Sequence, residues 1–338
     1  MSLRTISLSV LDQSVAVTGR AEDASIRETL ALARHCEALG YHRFWVSEHH
    51  SHPSIVGSAP EVLMAAIAAT TSRIRVGSAG VMLPHYAALK VAEQFRVLEA
   101  LAPGRIDLGV GRAPGSDMRT ARLLRADAHQ SADNFPVQVR ELQAWVSGTD
   151  LPEGHPGHGV TANPRGPTTP EIWMLGSSNY GAQLAAHYGL PYAFVYFITD
   201  GQGAEQALDM YRHMYRPSAV QPKAHAALCV WALAADTEAE AWHHFSGRER
   251  WKIDRNRGAL GALASPTEVA LRPYSTAEQI EAEKLRSNAI VGTGPQVASK
   301  LRALADTLEV QELVVITWVH DPAARRRSYE LLAEELLP

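Results

Sequence analysis

The run Glu48-His49-His50-Ser51-His52 stands directly after the β-branched and aromatic stretch Arg43–Ser47. Three imidazoles beside one carboxylate can move protons near neutral pH or hold a metal ion. His50-x-His52 has a spacing used by metal-dependent barrel hydrolases, but the further His or Lys that such enzymes carry on a middle strand is not evident. A lone loop histidine is more often a satisfied polar side chain than a working one. The whole cluster at the carboxyl end of a strand favours function, with proton transfer ahead of metal binding.

Three glycine-containing turns add chemistry of another kind. Gly109-Val110-Gly111-Arg112-Ala113-Pro114-Gly115 follows a second apolar stretch. It is a poor dinucleotide fingerprint, because that motif opens a helix in the first βα unit and Pro114-Gly115 delays one here. What remains is an arginine at a strand end among small neighbours, suited to clamping a phosphate or to a rim salt bridge. Gly176-Ser177-Ser178-Asn179-Tyr180-Gly181 opens a helical pattern, so free N–H groups, hydroxyls and a positive dipole end can gather an anion. One serine suffices for a helix cap, and the doubled serine after glycine favours phosphate over simple capping. Gly77-Ser78-Ala79-Gly80, then Val81-Met82-Leu83, offers small residues against which a planar ring can lie, with an apolar wall beyond.

These turns act together only if the fold brings them to one face. Short apolar runs alternating with amphipathic helical patterns argue for a parallel sheet with crossover helices. Strands are predicted at Ile6–Leu11, Arg43–Ser47, Ile74–Ser78, Ile106–Val110, Glu171–Leu175, Tyr192–Phe197, Ala226–Ala234 and Glu312–Thr317. Helices are predicted at Ser25–Leu39, Pro60–Thr70, Ala87–Leu101, Ala132–Ser147, Tyr180–His187, Ala204–Tyr215, Glu238–Arg250, Pro295–Thr307 and Ala323–Leu336. Asp23 or Ser25 is expected to cap the first helix and Gly40 to close it. Eight such strands predict an α/β fold, a single (β/α)8 TIM barrel over residues 1–338, ahead of a doubly wound open sheet. Residues 149–170 and 257–287 lack periodicity and read as inserted loops, the second placed to act as a lid. In a barrel the turns after the strands share one face, so the four clusters would meet there.

Composition narrows the function further. The 338 residues are 46% hydrophobic and 20% charged with a formal net charge of −4, and no block of like charge marks a nucleic-acid surface. Of the 32 basic residues only Lys90, Lys223, Lys252, Lys284 and Lys300 are lysines. Cys36 and Cys229 are too few and too far apart for a disulfide framework or a metal site. No apolar run is long enough to span a membrane, and Met1 leads straight into the alternation Ile6, Leu8, Val10 without a secretory leader pattern. A cytoplasmic protein is expected.

Several stretches together carry a resemblance: Gly40-Tyr41-His42-Arg43-Phe44-Trp45-Val46-Ser47-Glu48-His49-His50, Arg73 through Pro84, Ala92-Glu93-Gln94, Pro103 through Arg112, and Gly292-Thr293-Gly294-Pro295-Gln296-Val297. In this order they resemble the bacterial luciferase-like flavin monooxygenases, most densely over residues 40–116. The resemblance implies a barrel that usually forms a homodimer and takes reduced FMN from a separate NAD(P)H:flavin reductase. It also implies that the flavin reacts with O2 to a C4a-peroxide that oxidises a small-molecule substrate, with no metal. By position it makes His49 the histidine beside the flavin, flanked by Glu48 and His50. Arg112 becomes the phosphate-contacting arginine, and Gly176, Ser177, Ser178 and Tyr180 the phosphate turn. Ala79-Gly80 becomes the bulge under the isoalloxazine, often a cis peptide.

Gly111 stands where the luciferase α-subunit has a reactive cysteine, so light emission is not implied. The similarity is to the non-luminescent branch, some of whose members oxidise aromatic natural products, which brings an antibiotic-pathway substrate into the expectation. Three alternatives stay open at this point. They are a deazaflavin-dependent dehydrogenase on the same fold, a non-catalytic flavin-binding protein, and a metal-dependent barrel hydrolase using His50 and His52.

Overall fold

The computed structural model describes residues 6–218 and 220–338. Its centre is formed by β1 (Ser7–Asp12), β2 (Arg43–Val46), β3 (Arg75–Ser78), β4 (Ile106–Gly111), β5 (Glu171–Gly176), β6 (Tyr192–Val195), β7 (Ala226–Trp231) and β8 (Glu312–Ile316). These parallel strands lie in the order β3-β2-β1-β8-β7-β6-β5-β4. Val76 and Gly77 of β3 pair back to Ile106 and Asp107 of β4, which closes the barrel.

Around it run α1 (Glu22–Leu39), α2 (Pro60–Thr70), α3 (Ala88–Leu101), α4 (Phe135–Ser147), α5 (Asn179–Tyr188), α6 (Ala204–Met214), α7 (Glu238–Asn256), α8 (Thr276–Ser287), α9 (Gly294–Thr307) and α10 (Pro322–Leu336). Alternate residues of each strand serve two different cores, as the period of an extended chain requires. Phe44, Val76, Leu108 and Leu313 meet the helices, whereas Leu11, Trp45, Trp173, Cys229 and Val314 fill the barrel.

A charged layer crosses the barrel near the strand starts. Arg43 donates from Nη1 to Asp107 at 2.9 Å and to Glu171 at 2.7 Å, and from Nε to Glu312 at 2.9 Å. Trp45 Nε1 donates to Asp107 at 2.9 Å, and Ser9 to Glu312 at 2.8 Å. Burial alone would raise the Glu312 carboxyl. The His225 hydrogen bond and the charges of Arg43 and His225 outweigh that and hold it at about 2. The layer ties β1, β2, β4, β5 and β8 together across the interior.

The structure corrects several local expectations. Neither Asp23 nor Ser25 caps α1. The helix starts earlier, after Ala21, and Ser25 is buried with its hydroxyl donating to the Val15 carbonyl at 2.7 Å. Gly40 does end it, in the left-handed region at φ 89°. Residues 257–287 are not an irregular insertion but carry the short helix Pro266–Ala270 and α8, both packed on α7. Each begins with a capping box, Ser265 with Glu268 and Ser275 with Glu278, a local signal that needs no apolar period. Residues 149–170 carry no regular element, as expected. The predicted strand Ala226–Ala234 breaks after Trp231, and Leu233–Ala235 turns away to pair in parallel with Val291–Thr293.

Candidate functional site

His49, Ala79-Gly80, Arg112 and Ser177-Ser178 follow β2, β3, β4 and β5, so these neighbouring strands present them along one arc of the barrel mouth. The middle of the arc is backbone. Ala79-Gly80 is a cis peptide, and Val81–Met82 continues beyond it to pair with Val110 and Gly111. A Cβ at Gly80 would fall 2.7 Å from the Gly109 carbonyl carbon, and one at Gly109 would fall 2.0 Å from the Ser78 oxygen. Only glycine lets these two chains approach so closely. The turn there is made of the small residues Ser78, Ala79 and Gly80.

Glu48 works as the clamp of this arc. Its buried carboxylate accepts from His50 Nε2 (2.7 Å) and Tyr86 Oη (2.7 Å) on one oxygen, and from the Met82 N–H (3.0 Å) on the other. With both oxygens engaged, Glu48 is a positioning residue that locks the turn after β2 to the segment after β3. His85 Nε2 donates to the Pro114 carbonyl at 2.7 Å, and the His50 N–H to the Gly115 carbonyl at 3.2 Å, which adds the turn after β4. His50 is therefore spent on Glu48, while His52 Nδ1 accepts from the Ser54 N–H at 3.1 Å. The two serve different partners, and among the described residues no group of three or more His, Cys, Asp or Glu side chains is placed to hold a metal.

His49 differs from both. It is half-buried, and Gln13 Nε2 lies 3.3 Å from its Nε2, so the amide donates and the ring nitrogen accepts. Burial, then the neighbouring His52, lower its pKa to about 4 against the opposition of the Gly115 carbonyl and Glu48. The sequence alone predicted a histidine titrating near neutrality. The folded chain instead holds it neutral there, as a hydrogen-bonding group with a basic lone pair.

At the other end of the arc the guanidinium of Arg112 lies 4.4 Å from the ring centroid of Tyr180, the second residue of α5. Arg112 is exposed and, among the described residues, forms no ion pair. The rim salt bridge left open from the sequence is not the arrangement found. Ser178 occupies the N-cap position of α5 yet makes no capping hydrogen bond. Asp117, Thr237, Ser265, Ser275 and Asp321 do cap their helices with their side chains. A stacked free cation thus stands beside unused helical N–H groups and two hydroxyls, the donor set an anion requires. Tyr192 fixes this turn, its hydroxyl donating to the carbonyls of Gly176 (3.2 Å) and Ser178 (3.3 Å).

Gln13, Tyr86 and Tyr192 are the supporting residues that sequence reading missed. Each acts through a tertiary contact between distant segments, for which no local pattern exists. The unpaired cation beside the uncapped helix start, with the small-residue turn at Ala79-Gly80 on the neighbouring strand, fits a planar ring bearing one phosphate.

Comparison with known proteins identifies the family and the fold. The N-acetyl-S-alkylcysteine monooxygenase of Bacillus subtilis is 36% identical over 335 residues, spanning 98% of each chain. The crystal structure of apo-MsnO8 superposes with a TM-score of 0.88 at 35% identity and covers 98% of both chains. The oxygenating constituent of 3,6-diketocamphane monooxygenase from Pseudomonas putida, solved with FMN, shares the fold at 20% identity. Its TM-score is 0.72, over 99% of this chain and 98% of that one. The sequence profile of the luciferase-like monooxygenases matches residues 6–309, and with a closed barrel whose mouth carries these turns, this chain belongs to the luciferase-like monooxygenase family.

Proposed function

We propose that this protein is a monooxygenase that uses reduced FMN and O2 to oxidise a small organic substrate, the flavin being supplied by a separate NAD(P)H:flavin reductase. The observation that carries the reading is the free Arg112 guanidinium stacked on Tyr180 at the uncapped start of α5. One cation at one helix start matches a single terminal phosphate and leaves no second cradle for an adenylate, so FMN is preferred to FAD. Arg112, Ser177, Ser178 and Tyr180 hold the phosphate, and Ala79-Gly80 gives the ring a bed of small residues. Reduced FMN, when bound, supplies the electrons that activate O2.

The chain's own part is to orient and to keep water out. His49 is a neutral imidazole oriented by Gln13 at the edge of the ring bed, and release of the Gln13 hydrogen bond frees its Nε2 to hold or relay a proton. Met82, buried and bonded through its N–H to Glu48, offers an apolar side chain near this turn, whereas Val81 and Leu83 pack in the helix-facing core. We also expect a homodimer. Val62 of α2 with Val97 and Leu101 of α3 places exposed apolar side chains on adjacent helices, and light scattering on the purified protein tests it.

Equilibrium dialysis against FMN, FAD, riboflavin and a deazaflavin, oxidised and reduced, tests the cofactor. Reduced FMN is expected to bind most tightly, and its complex to reoxidise in air at a rate different from that of free reduced FMN. Tighter binding of FAD or deazaflavin, or reoxidation indistinguishable from the free flavin, refutes the proposal.

A further inference from the structure

The ends of β6 and β7 open on a cavity of about 660 Å³, a size typical of small-molecule sites. Phe197, Trp231, Phe245 and Ile290 give it apolar walls, and Leu285 of α8 closes one side. Arg248 of α7 lines it while only 4% exposed. Its guanidinium carbon stands 4.9 Å from the Trp231 ring, 5.6 Å from Trp251 and 4.9 Å from Trp318. Burial, then repulsion from Arg255, lower its pKa to about 9 against the opposing charge of Asp200. Among the described residues the guanidinium makes no hydrogen bond and no ion pair. Indole faces offset part of the cost of burying this cation, and among the described residues no side chain or carbonyl accepts from it.

The other charges around the cavity are accounted for. Lys252 Nζ lies 2.5 Å from Asp200 Oδ1, and Glu281 accepts from Arg257 at 2.7 Å. Lys284 is exposed. One buried positive charge is left over, on a planar fork of donors that lines a cavity of mixed polar and apolar walls. That is the complement of a monoanion with two parallel acceptor oxygens.

We infer that Arg248 receives the carboxylate of the substrate, so that the enzyme acts on small organic acids whose anionic end docks in this cavity against the guanidinium that Trp231, Trp251 and Trp318 flank. The identification of this anion as the substrate's rests on the monooxygenase reading above. The indoles are wired to the flavin side of the mouth. Trp251 Nε1 donates to Ser54 Oγ at 2.8 Å, the Ser54 N–H donates to His52, and the His52 ring centroid lies 5.5 Å from that of His49. Ala79, Phe197 and Trp251 all pack on the one cluster that fills the barrel. Arg248 thus sits on the same packed cluster that Ala79 touches, one hydrogen-bonded chain away from His49.

Titration calorimetry with phenylacetate and its neutral isostere phenylacetamide tests this on the full chain, with FMN present and absent. Phenylacetate is expected to bind wild type roughly tenfold to hundredfold more tightly than the amide, and that preference should vanish in Arg248→Met. Equal binding of acid and amide, or a preference that survives Arg248→Met, overturns the inference. Should that variant not fold, a crystal of the wild type with phenylacetate decides. The carboxylate is expected on Arg248, and a carboxylate seated only elsewhere overturns it. The two readings fail separately. Acid preference without FMN binding removes the monooxygenase and leaves the anion site, whereas FMN binding without acid preference does the reverse.

Discussion

Replacing Arg112 with alanine tests the phosphate end of the site with little structural side effect. The wild-type side chain is exposed and contributes one stacking contact, at 4.4 Å on Tyr180. An exposed cation–π contact is worth about 0.5–1 kcal/mol, so the melting temperature should fall by no more than about 2 °C. The effect on ligand binding is larger. A charge-assisted contact to phosphate contributes about 1.5–3 kcal/mol, which is roughly a tenfold to hundredfold loss of FMN affinity. Riboflavin supplies the internal control, because it carries the ring system without the phosphate. Fluorescence titrations should show wild type preferring FMN to riboflavin, Arg112→Ala losing most of that preference, and riboflavin affinity little changed between the two proteins. A folded variant that keeps the full FMN-to-riboflavin ratio would refute the placement of phosphate at Arg112 and α5. A variant that loses both ligands equally would mean that Arg112 shapes the ring bed instead.

His49→Ala should keep the fold and most FMN affinity but yield less product and more H2O2 per NADH in a reductase-coupled assay. His49→Gln, which retains an acceptor, should recover part of the coupling, and an alanine variant with normal coupling would remove His49 from the chemistry. The folded pKa of His49, about 4, lies below its unfolded value of 6.5, so between them the unfolded chain binds more protons and stability falls as pH drops. Urea midpoints across that window should fall less steeply in His49→Gln than in wild type, and parallel slopes would contradict the assignment. Glu48→Gln turns one acceptor oxygen into a donor facing Met82 N–H or the Tyr86–His50 pair, and should cost about 1–3 kcal/mol in denaturant unfolding. Gly80→Ala places a methyl 2.7 Å from backbone that cannot yield, so a variant with unchanged melting temperature would show the β3–β4 approach to be looser than described.

The barrel was legible in the sequence because its periods are local. Strands such as Arg43–Val46 and Ile106–Gly111 were located to within a residue, since they are short apolar runs bounded by glycine, proline and charged turns. The turns after strands were legible for a second reason. In a parallel barrel, position after a strand is itself a statement about which face a residue occupies. Roles within the site were less so. Glu48 and His49 are adjacent in sequence, yet one is a saturated structural clamp and the other a half-buried acceptor. That division is set by Tyr86, Met82 and Gln13, which belong to other segments. Arg248 was invisible for a similar reason. In the sequence it is one arginine of Arg248-Glu249-Arg250 in an ordinary amphipathic helix. It becomes a buried, unpaired cation only once Trp231, Trp251 and Trp318 close around it.

The two ends of the barrel carry opposite duties, and the same strands serve both. Near its start β2 offers Arg43 to Asp107, Glu171 and Glu312, and just beyond its end it presents Glu48 and His49. Asp107 opens β4, and Arg112 follows the same strand. Gly77 permits the crossing contact that fixes their spacing. A Cβ there would lie 2.5 Å from the Trp45 ring, whose indole nitrogen reaches Asp107 at 2.9 Å. Charges buried in this way are costly unless fully paired, and a fully paired set tolerates few alternative registers. A slip of one residue between β2 and β3, or between β3 and β4, would break the layer and turn every side chain of the slipped strand to the other face. With register held at the closed end, the open end need not be stabilised by its own contacts. It can leave the exposed Arg112 with no ion pair, Ser178 with no capping bond and the buried Arg248 with no protein acceptor among the described residues.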